Sequence, residues 1–228
     1  MKSKIVHAFG PVLLVGGGEC THDVLKAAVS KASAVVAADG GAAPLLAIGV
    51  VPEAVIGDMD SLDPALQASL PPGVLRRIAE QDSTDFDKCL RNISAPLVLA
   101  YGFLGARVDH QLAALTVLCN RADRRCVVVG TEDVIVLAPP ELTLDLPKGT
   151  RFSLYPMGKV QGRSEGLRWP IDGLVMSPDT RVGTSNEVVG PVRLSVEAPR
   201  MLLILPAACL EALLEGLAAA PGGWPVRA

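Results

Sequence analysis

The sequence predicts an α/β fold: a Rossmann-like parallel α/β domain over residues 1–130, then a small antiparallel β-sandwich domain over residues 131–228 that ends in a helical tail. Three observations carry this. Apolar runs alternate with helical patterns up to Gly130, the order of an α/β fold. Those runs are continuous, as in strands covered on both faces of a parallel sheet. Beyond Gly130 the apolar stretches shorten and are separated by Pro, Gly and Asp, the spacing of a sandwich or barrel.

Val12–Gly16 reads as the first strand, and Thr21 as the cap of a helix running to Lys31. Val35–Ala38 is the second strand, Ala42–Ile48 a short helix containing Pro44, and Ala54–Ile56 the third strand. Ser83 or Thr84 opens a helix to Ile93, with Phe86, Leu90 and Ile93 on one face. Pro96–Tyr101 is a strand, Asp109–Ala122 a helix with Leu112, Leu115 and Cys119 on one stripe, and Cys126–Gly130 a strand. In the second domain, strands are predicted at 134–137, 142–146, 151–155, 192–197 and 201–205, and a helix over 207–219.

Half of the 228 residues are hydrophobic and a fifth are charged, so the chain has ample core material and is not disordered. No uninterrupted apolar run is long enough to span a bilayer. His7, Pro11 and Gly16-Gly17-Gly18 break up the apolar start, which reads as a buried strand and not as a signal peptide. The net charge of −3, with no long basic run, speaks against nucleic acid as a partner. The five cysteines form no C-x-x-C pair and read as reduced thiols of a cytoplasmic protein. With only three scattered histidines, a metal site would have to rest on carboxylates.

Of the 14 aspartates, eight lie between Asp39 and Asp109, and several follow predicted strands. Ligands bind beyond the carboxyl ends of strands in open parallel sheets. Asp39 follows the second strand, and Gly57-Asp58-Met59-Asp60-Ser61 follows the third. In an extended chain, carboxylates at i and i+2 point the same way, roughly 6–7 Å apart. Oxygen ligands without His or Cys favour Mg²⁺. Gln81-Asp82-Ser83-Thr84-Asp85-Phe86-Asp87-Lys88 opens the next helix. Asp85 and Lys88 share a helical face there, a plausible seat for metal and phosphate, while Thr84 and Asp87 equally match a capping box. Asp82 and Asp87 read as helix-start groups and Asp63, before Pro64, as a turn residue.

Tyr101 to His110 turns through Gly102 and Gly105, then presents Arg107 and Asp109 before a helix. Arg can grip phosphate in two parallel hydrogen bonds, and Asp109 is either part of the site or an ordinary N-cap. Gly16-Gly17-Gly18 lacks the G-K-[ST] of a P-loop and is not G-x-G-x-x-G. Together these loops describe a Mg²⁺–polyphosphate site that works by positioning and charge neutralisation.

The runs Ala38-Asp39-Gly40-Gly41, Gly57-Asp58-Met59-Asp60-Ser61, Ser83-Thr84-Asp85 with Asp87, and Gly105-x-Arg107-x-Asp109-His110 resemble, in order and spacing, the thiamine pyrophosphokinase family. In the second domain Gly166-Leu167-Arg168-Trp169-Pro170 and Thr184-Ser185-Asn186-Glu187 are similar to that family's aromatic and Ser-Asn-Glu segments. The resemblance spans residues 12–205; Ala106 stands where the family often has a second glycine. It implies transfer of the β,γ-diphosphate of ATP to the hydroxyl of thiamine, giving thiamine diphosphate and AMP. It implies a homodimer with thiamine bound between the α/β domain of one subunit and the sandwich of the other. It implies Mg²⁺ held by Asp58, Asp60 and Asp85 with Asp39. It places Asp39, Gly40, Thr84, Arg107 and His110 at the nucleotide, and Gln81, Trp169, Ser185 and Asn186 at thiamine. Asp60, Asp85, Lys88, Arg107 and Asp109 are then the catalytic candidates: Lys88 or Arg107 takes up charge, and a carboxylate among Asp60, Asp85 and Asp109 accepts the hydroxyl proton.

Two rival functions use the same framework. One is a diphosphokinase of this architecture acting on a hydroxymethylpterin; Trp169 and the Ser-Asn-Glu segment favour thiamine instead, since an aromatic face attracts a thiazolium cation. The other is a non-catalytic regulator that binds thiamine or nucleotide, which four acidic positions and Arg107 argue against. A D-x-D phosphatase of the haloacid type fails on position, because the first strand ends in Gly16-Gly17-Gly18.

Overall fold

The computed structural model describes residues 4–105 and 107–225, so Ala106 and the path it gives its loop lie outside the described residues. The chain divides into two compact units, residues 1–117 with 126–130 and residues 118–125 with 131–228.

In the first unit the elements run β1 Val6–His7, β2 Val12–Val15, α1 His22–Ser30, β3 Ala34–Ala38, α2 Ala42–Ala47, β4 Ala54–Gly57 and α3 Pro64–Ser69. They continue with β5 Leu75–Arg77, α4 Asp85–Asn92, β6 Ile93–Ser94, β7 Val98–Tyr101, α5 Val108–Asn120 and β8 Cys126–Val129. The main sheet is ordered β8-β7-β2-β3-β4-β5, and each pair is parallel. The continuous apolar runs have the cause expected of them: every residue of β2, β4, β7 and β8 is buried, and a strand covered on both faces has no solvent side to make polar. The strand order reverses at β2, which pairs with β3 on one side and β7 on the other. That is the switch point where such sheets open a crevice. Thr21 caps α1 by accepting from the Val24 N–H, as its position before the helix requires.

Three local expectations are corrected. Asp63 is not only a turn residue: its Oδ1 accepts from the Ala65 N–H at 2.7 Å and caps α3, with Pro64 in the first turn. Leu112 does not share the buried stripe of α5; it is 56% exposed, whereas Leu115 and Cys119 are buried with Ala114, Val117 and Leu118. Asp109 is not an N-cap, since α5 already starts at Val108. The edge strand β5 had no hydropathic signal because two of its three residues are exposed arginines.

The second unit contains β9 Asp133–Leu137, β10 Glu141–Leu144, β11 Arg151–Pro156, β12 Gly162–Leu167, β13 Gly183–Val196, β14 Met201–Pro206 and α6 Leu210–Ala219. The long strand β13 belongs to two sheets. Its first part pairs with β11, which continues through β14 to β9; its second part lies between β10 and β12. All these pairings are antiparallel, and β10 alternates exposed and buried residues in the two-residue period of a strand with one wet face. The predicted strand at 192–197 is thus the end of a longer one, and Thr184-Ser185-Asn186-Glu187 lies within it and not in a free turn. The strand β12 carries no hydropathic signal, because its inward positions include Gly162 and Ser164 instead of large apolar residues. The tail helix α6 lies directly on β10: a Cβ at Gly216 would come within 2.4 Å of Leu144. All five cysteines are free thiols, and Cys89, Cys119 and Cys126 are buried. Among the described residues, no helix is long and apolar enough to cross a membrane.

Candidate functional site

The loops after β3 and β4 bring three carboxylates together. One oxygen each from Asp39, Asp58 and Asp60 lies within 4.8 Å of the others. They converge by a route other than an extended D-x-D. Met59 adopts φ +69°, and the Asp60 N–H donates to Asp58 Oδ1 at 3.3 Å, so a tight turn folds the two acids onto one side. Asp39 is also left-handed, at φ +39°, where it enters the short 3₁₀ turn Asp39–Gly41. Non-glycine residues held there mark sites where the surroundings over-determine the backbone.

The environment of Asp39 points to a missing positive partner. The residue is 2% exposed; Oδ2 accepts from the Ser61 N–H at 3.3 Å, but Oδ1 is buried with no hydrogen-bond partner among the described residues. Burial pushes its carboxyl up, the Ser61 N–H pulls part of that back, and the nearby charges of Asp85 and Asp58 push it further, to about 6. Burial also pushes Asp58 up, but there the Gln81 amide, the Asp60 N–H and the Lys88 ammonium prevail and hold it at about 2.

Lys88 is the internal countercharge. It is 1% exposed, and its Nζ lies 3.0 Å from Asp85 Oδ1 and 3.5 Å from Asp58 Oδ2. Burial alone would lower its pKa; Asp85 and Asp58 outweigh that and raise it, so the ammonium stays charged. Asp85 lies against Gly57: a Cβ there would come within 3.1 Å of Asp85 Oδ1 and 2.9 Å of Asp39 Cβ, so glycine leaves the space in which these acids meet. Four carboxylates face one ammonium. That excess negative charge, made only of hard oxygen donors and including one orphaned oxygen, fits a divalent cation such as Mg²⁺.

The other predicted residues fall in several places. Gln81 donates from Nε2 to Asp58 Oδ2 at 2.9 Å, so its amide orients a carboxylate. Thr84 Oγ1 accepts from the Asp87 N–H and caps α4, the helix that carries Asp85 and Lys88. A Cβ at Gly40 would come no nearer than 3.5 Å to the Ser61 carbonyl oxygen, so this position has room for a side chain. Arg107 and Asp109 grip each other through Nε–Oδ1 at 3.2 Å and Nη2–Oδ2 at 2.6 Å, both exposed. No hydrogen bond or ion pair joins either to the Asp39 cluster among the described residues, and His110 is exposed beside them. The Gly16–Gly18 loop serves packing: the Gly18 N–H donates to the Gly102 carbonyl at 2.9 Å, and a Cβ at Gly18 would come within 2.6 Å of that oxygen.

Sequence reasoning missed the clamp that holds the loop before α4. Glu80 accepts from the Ser83 hydroxyl, the Asp82 N–H and the Arg91 guanidinium. Those partners, Ser83 first, hold its carboxyl at about 2. Glu80 and Arg91 stand eleven residues apart, outside any local helical or strand spacing.

In the second unit a pocket of about 190 Å³ is lined by Trp169, Ile171, Met176, Val182, Thr184 and Asn186, among others. Trp169 is 56% exposed, and the Arg168 guanidinium lies 5.4 Å from its ring centroid. Ser185 is left-handed at φ +61°, with its N–H donated to Ser153 Oγ at 2.9 Å. Asn186 is buried, and its amide is bonded to the backbone of Trp169 and Glu187.

Residues 25–129 match the model of the thiamin pyrophosphokinase catalytic domain, and residues 140–201 that of the thiamin pyrophosphokinase vitamin B1 binding domain. Thiamine pyrophosphokinase 1 of Oryza sativa subsp. japonica is 30% identical, over 60% of this chain and 59% of its own. Thiamine pyrophosphokinase 2 of Arabidopsis thaliana is 30% identical, over 67% of this chain and 64% of its own. The match therefore spans under two thirds of the length of these curated relatives. The solved yeast thiamin pyrophosphokinase shares the fold, with a TM-score of 0.74 and 19% identity over 91% of this chain and 89% of that one. So does that of Geobacillus thermodenitrificans, with a TM-score of 0.69 and 22% identity over 86% and 96%. With both of the family's domain models matched in order, the chain belongs to the thiamine pyrophosphokinase family.

Proposed function

We propose that the chain transfers the β,γ-diphosphate of ATP to the hydroxyl of thiamine, giving thiamine diphosphate and AMP. The observation that carries this reading is the Asp39–Asp58–Asp60 cluster with its orphaned Asp39 oxygen, in a chain that matches the family's catalytic and vitamin-binding domain models. Asp39, Asp58 and Asp60, with Asp85 alongside, would hold Mg²⁺. When bound, that ion neutralises polyphosphate charge. Lys88 fixes Asp58 and Asp85 and keeps a positive charge beneath the acidic loops. The hydroxyl oxygen of thiamine attacks the β-phosphorus in line. The bond from that phosphorus to the bridging oxygen breaks, and AMP leaves with the electron pair. The hydroxyl proton passes to a carboxylate among Asp60, Asp85 and Asp109, and Arg107 offers its guanidinium to phosphate. Trp169, at the mouth of its pocket, offers the thiazolium cation an aromatic face. We also infer a homodimer and, from the five free thiols, a reducing, cytoplasmic setting.

Purified Asp58→Asn and Asp85→Asn variants test the reading. AMP formation that depends on thiamine and Mg²⁺ should fall at least a hundredfold in both. Rates near wild type would overturn the metal assignment, and AMP release with a hydroxymethylpterin in place of thiamine would overturn the substrate.

A further inference from the structure

We infer that Asn186 is a positioning residue that sets the Trp169 ring through the backbone, and that it does not bind the ligand itself. The inference rests on the thiamine reading above and deepens it. Asn186 Oδ1 accepts from the Trp169 N–H at 3.1 Å and from the Glu187 N–H at 2.9 Å, while Nδ2 donates to the Trp169 carbonyl at 2.6 Å. The carboxamide thus pairs with both backbone groups of Trp169, as a neighbouring strand would. It uses both acceptor positions of its oxygen and one of its two N–H donors. Asn186 lines the pocket together with Trp169, but the residue is only 6% exposed, so little of it is open to solvent there.

The segment after Trp169 is held from the other side. The Ile171 N–H donates to Ser164 Oγ at 3.1 Å, and the Ser164 N–H donates to Asp172 Oδ2 at 3.2 Å. Ser164 is on β12 and Asn186 on β13, so two adjacent strands pin the loop at positions 169 and 171. The indole itself makes no hydrogen bond among the described residues; the Arg168 guanidinium lies 5.4 Å from its centroid, and the residue is 56% exposed. A half-exposed ring on a doubly pinned backbone is held ready for a ligand without being buried by its own fold, and that pre-organisation lowers the ordering cost of binding. Aspartate at 186 would keep both acceptor bonds but turn the donor to the Trp169 carbonyl into a repelling oxygen. Alanine would remove all three bonds.

The test uses the full chain in a Trp224→Phe background, which leaves Trp169 as the only tryptophan. Thiamine KM and kcat are measured for Asn186→Ala, Asn186→Asp, Trp169→Ala and Trp169→Ala/Asn186→Ala, and the fluorescence anisotropy of Trp169 for the two single Asn186 variants and their parent. Losing bonds of this kind should raise the thiamine KM about tenfold with kcat within twofold, and should lower the anisotropy before any thiamine is added. In the Trp169→Ala background, removing Asn186 should add nothing to KM, since its effect passes through the ring. Additive KM effects, or unchanged anisotropy with a raised KM, would show direct ligand contact and overturn the inference. If wild type neither binds nor turns over thiamine, the substrate reading fails, whereas the anisotropy without ligand still reports on the clamp.

Discussion

Asp39 is where the site's electrostatics are most exposed to test. Its carboxyl is held near 6, above the usual range, so its neutral form favours the cation-free fold. That contribution is complete below the ordinary carboxylate value and is lost as pH rises through about 6. Asn keeps the shape and removes the titration. The cation-free Asp39→Asn variant should therefore melt roughly 2–4 °C above wild type at pH 7.5, with a much smaller difference at pH 5. Mg²⁺ should raise the melting temperature of wild type and not of the variant. Differential scanning calorimetry with and without Mg²⁺ checks both; equal Mg²⁺ stabilisation of the two proteins would remove Asp39 from the cation site. Lys88 gives the opposite sign. Lys88→Met leaves Asp58 and Asp85 without their ammonium, and breaking such a buried pair costs about 3 kcal/mol. Urea unfolding at pH 7 should show that loss as a lower midpoint, and an unchanged midpoint would mean that the ammonium does not stabilise the two carboxylates.

At the scale of elements, α4 joins fold to chemistry. Thr84 caps it, Asp85 and Lys88 occupy its first turn, and Glu80 and Arg91 tie the preceding loop to its last turn. Thr84→Ala should cost about 1 kcal/mol in stability, visible as a lower urea midpoint with an unchanged slope. An unchanged midpoint would mean that the cap bond contributes nothing. This helix also shows what the sequence made legible. Its start could be read because a cap and an acidic first turn are local signals, and β2, β4, β7 and β8 could be read because strands buried on both faces are apolar throughout. The edge strand β5 and the strand β12 could not, because exposed arginines in one and inward Gly162 and Ser164 in the other erase the hydropathic signal. Within the site, the grouping of Asp39 with Asp58 and Asp60 followed from their places after neighbouring strands. The left-handed turn at Met59 and the Glu80–Arg91 pair did not, since backbone handedness and contacts between distant residues leave no periodic trace.

At the scale of the whole molecule, the two units carry different parts of the proposed reaction: acids and a buried ammonium in one, an aromatic pocket in the other. The motifs that resemble the family occur in both, and the family's two domain models match both in order. The reading of diphosphate transfer, as against transfer of a single phosphoryl group, rests on that membership; the cluster of hard oxygen donors fits a Mg²⁺–polyphosphate substrate in either case. The most direct measurement is ³¹P NMR of the purified protein with ATP, Mg²⁺ and thiamine. The account predicts AMP and thiamine diphosphate accumulating in equal amounts, both absent without thiamine. Formation of ADP with thiamine monophosphate, or no thiamine-dependent consumption of ATP, would contradict it.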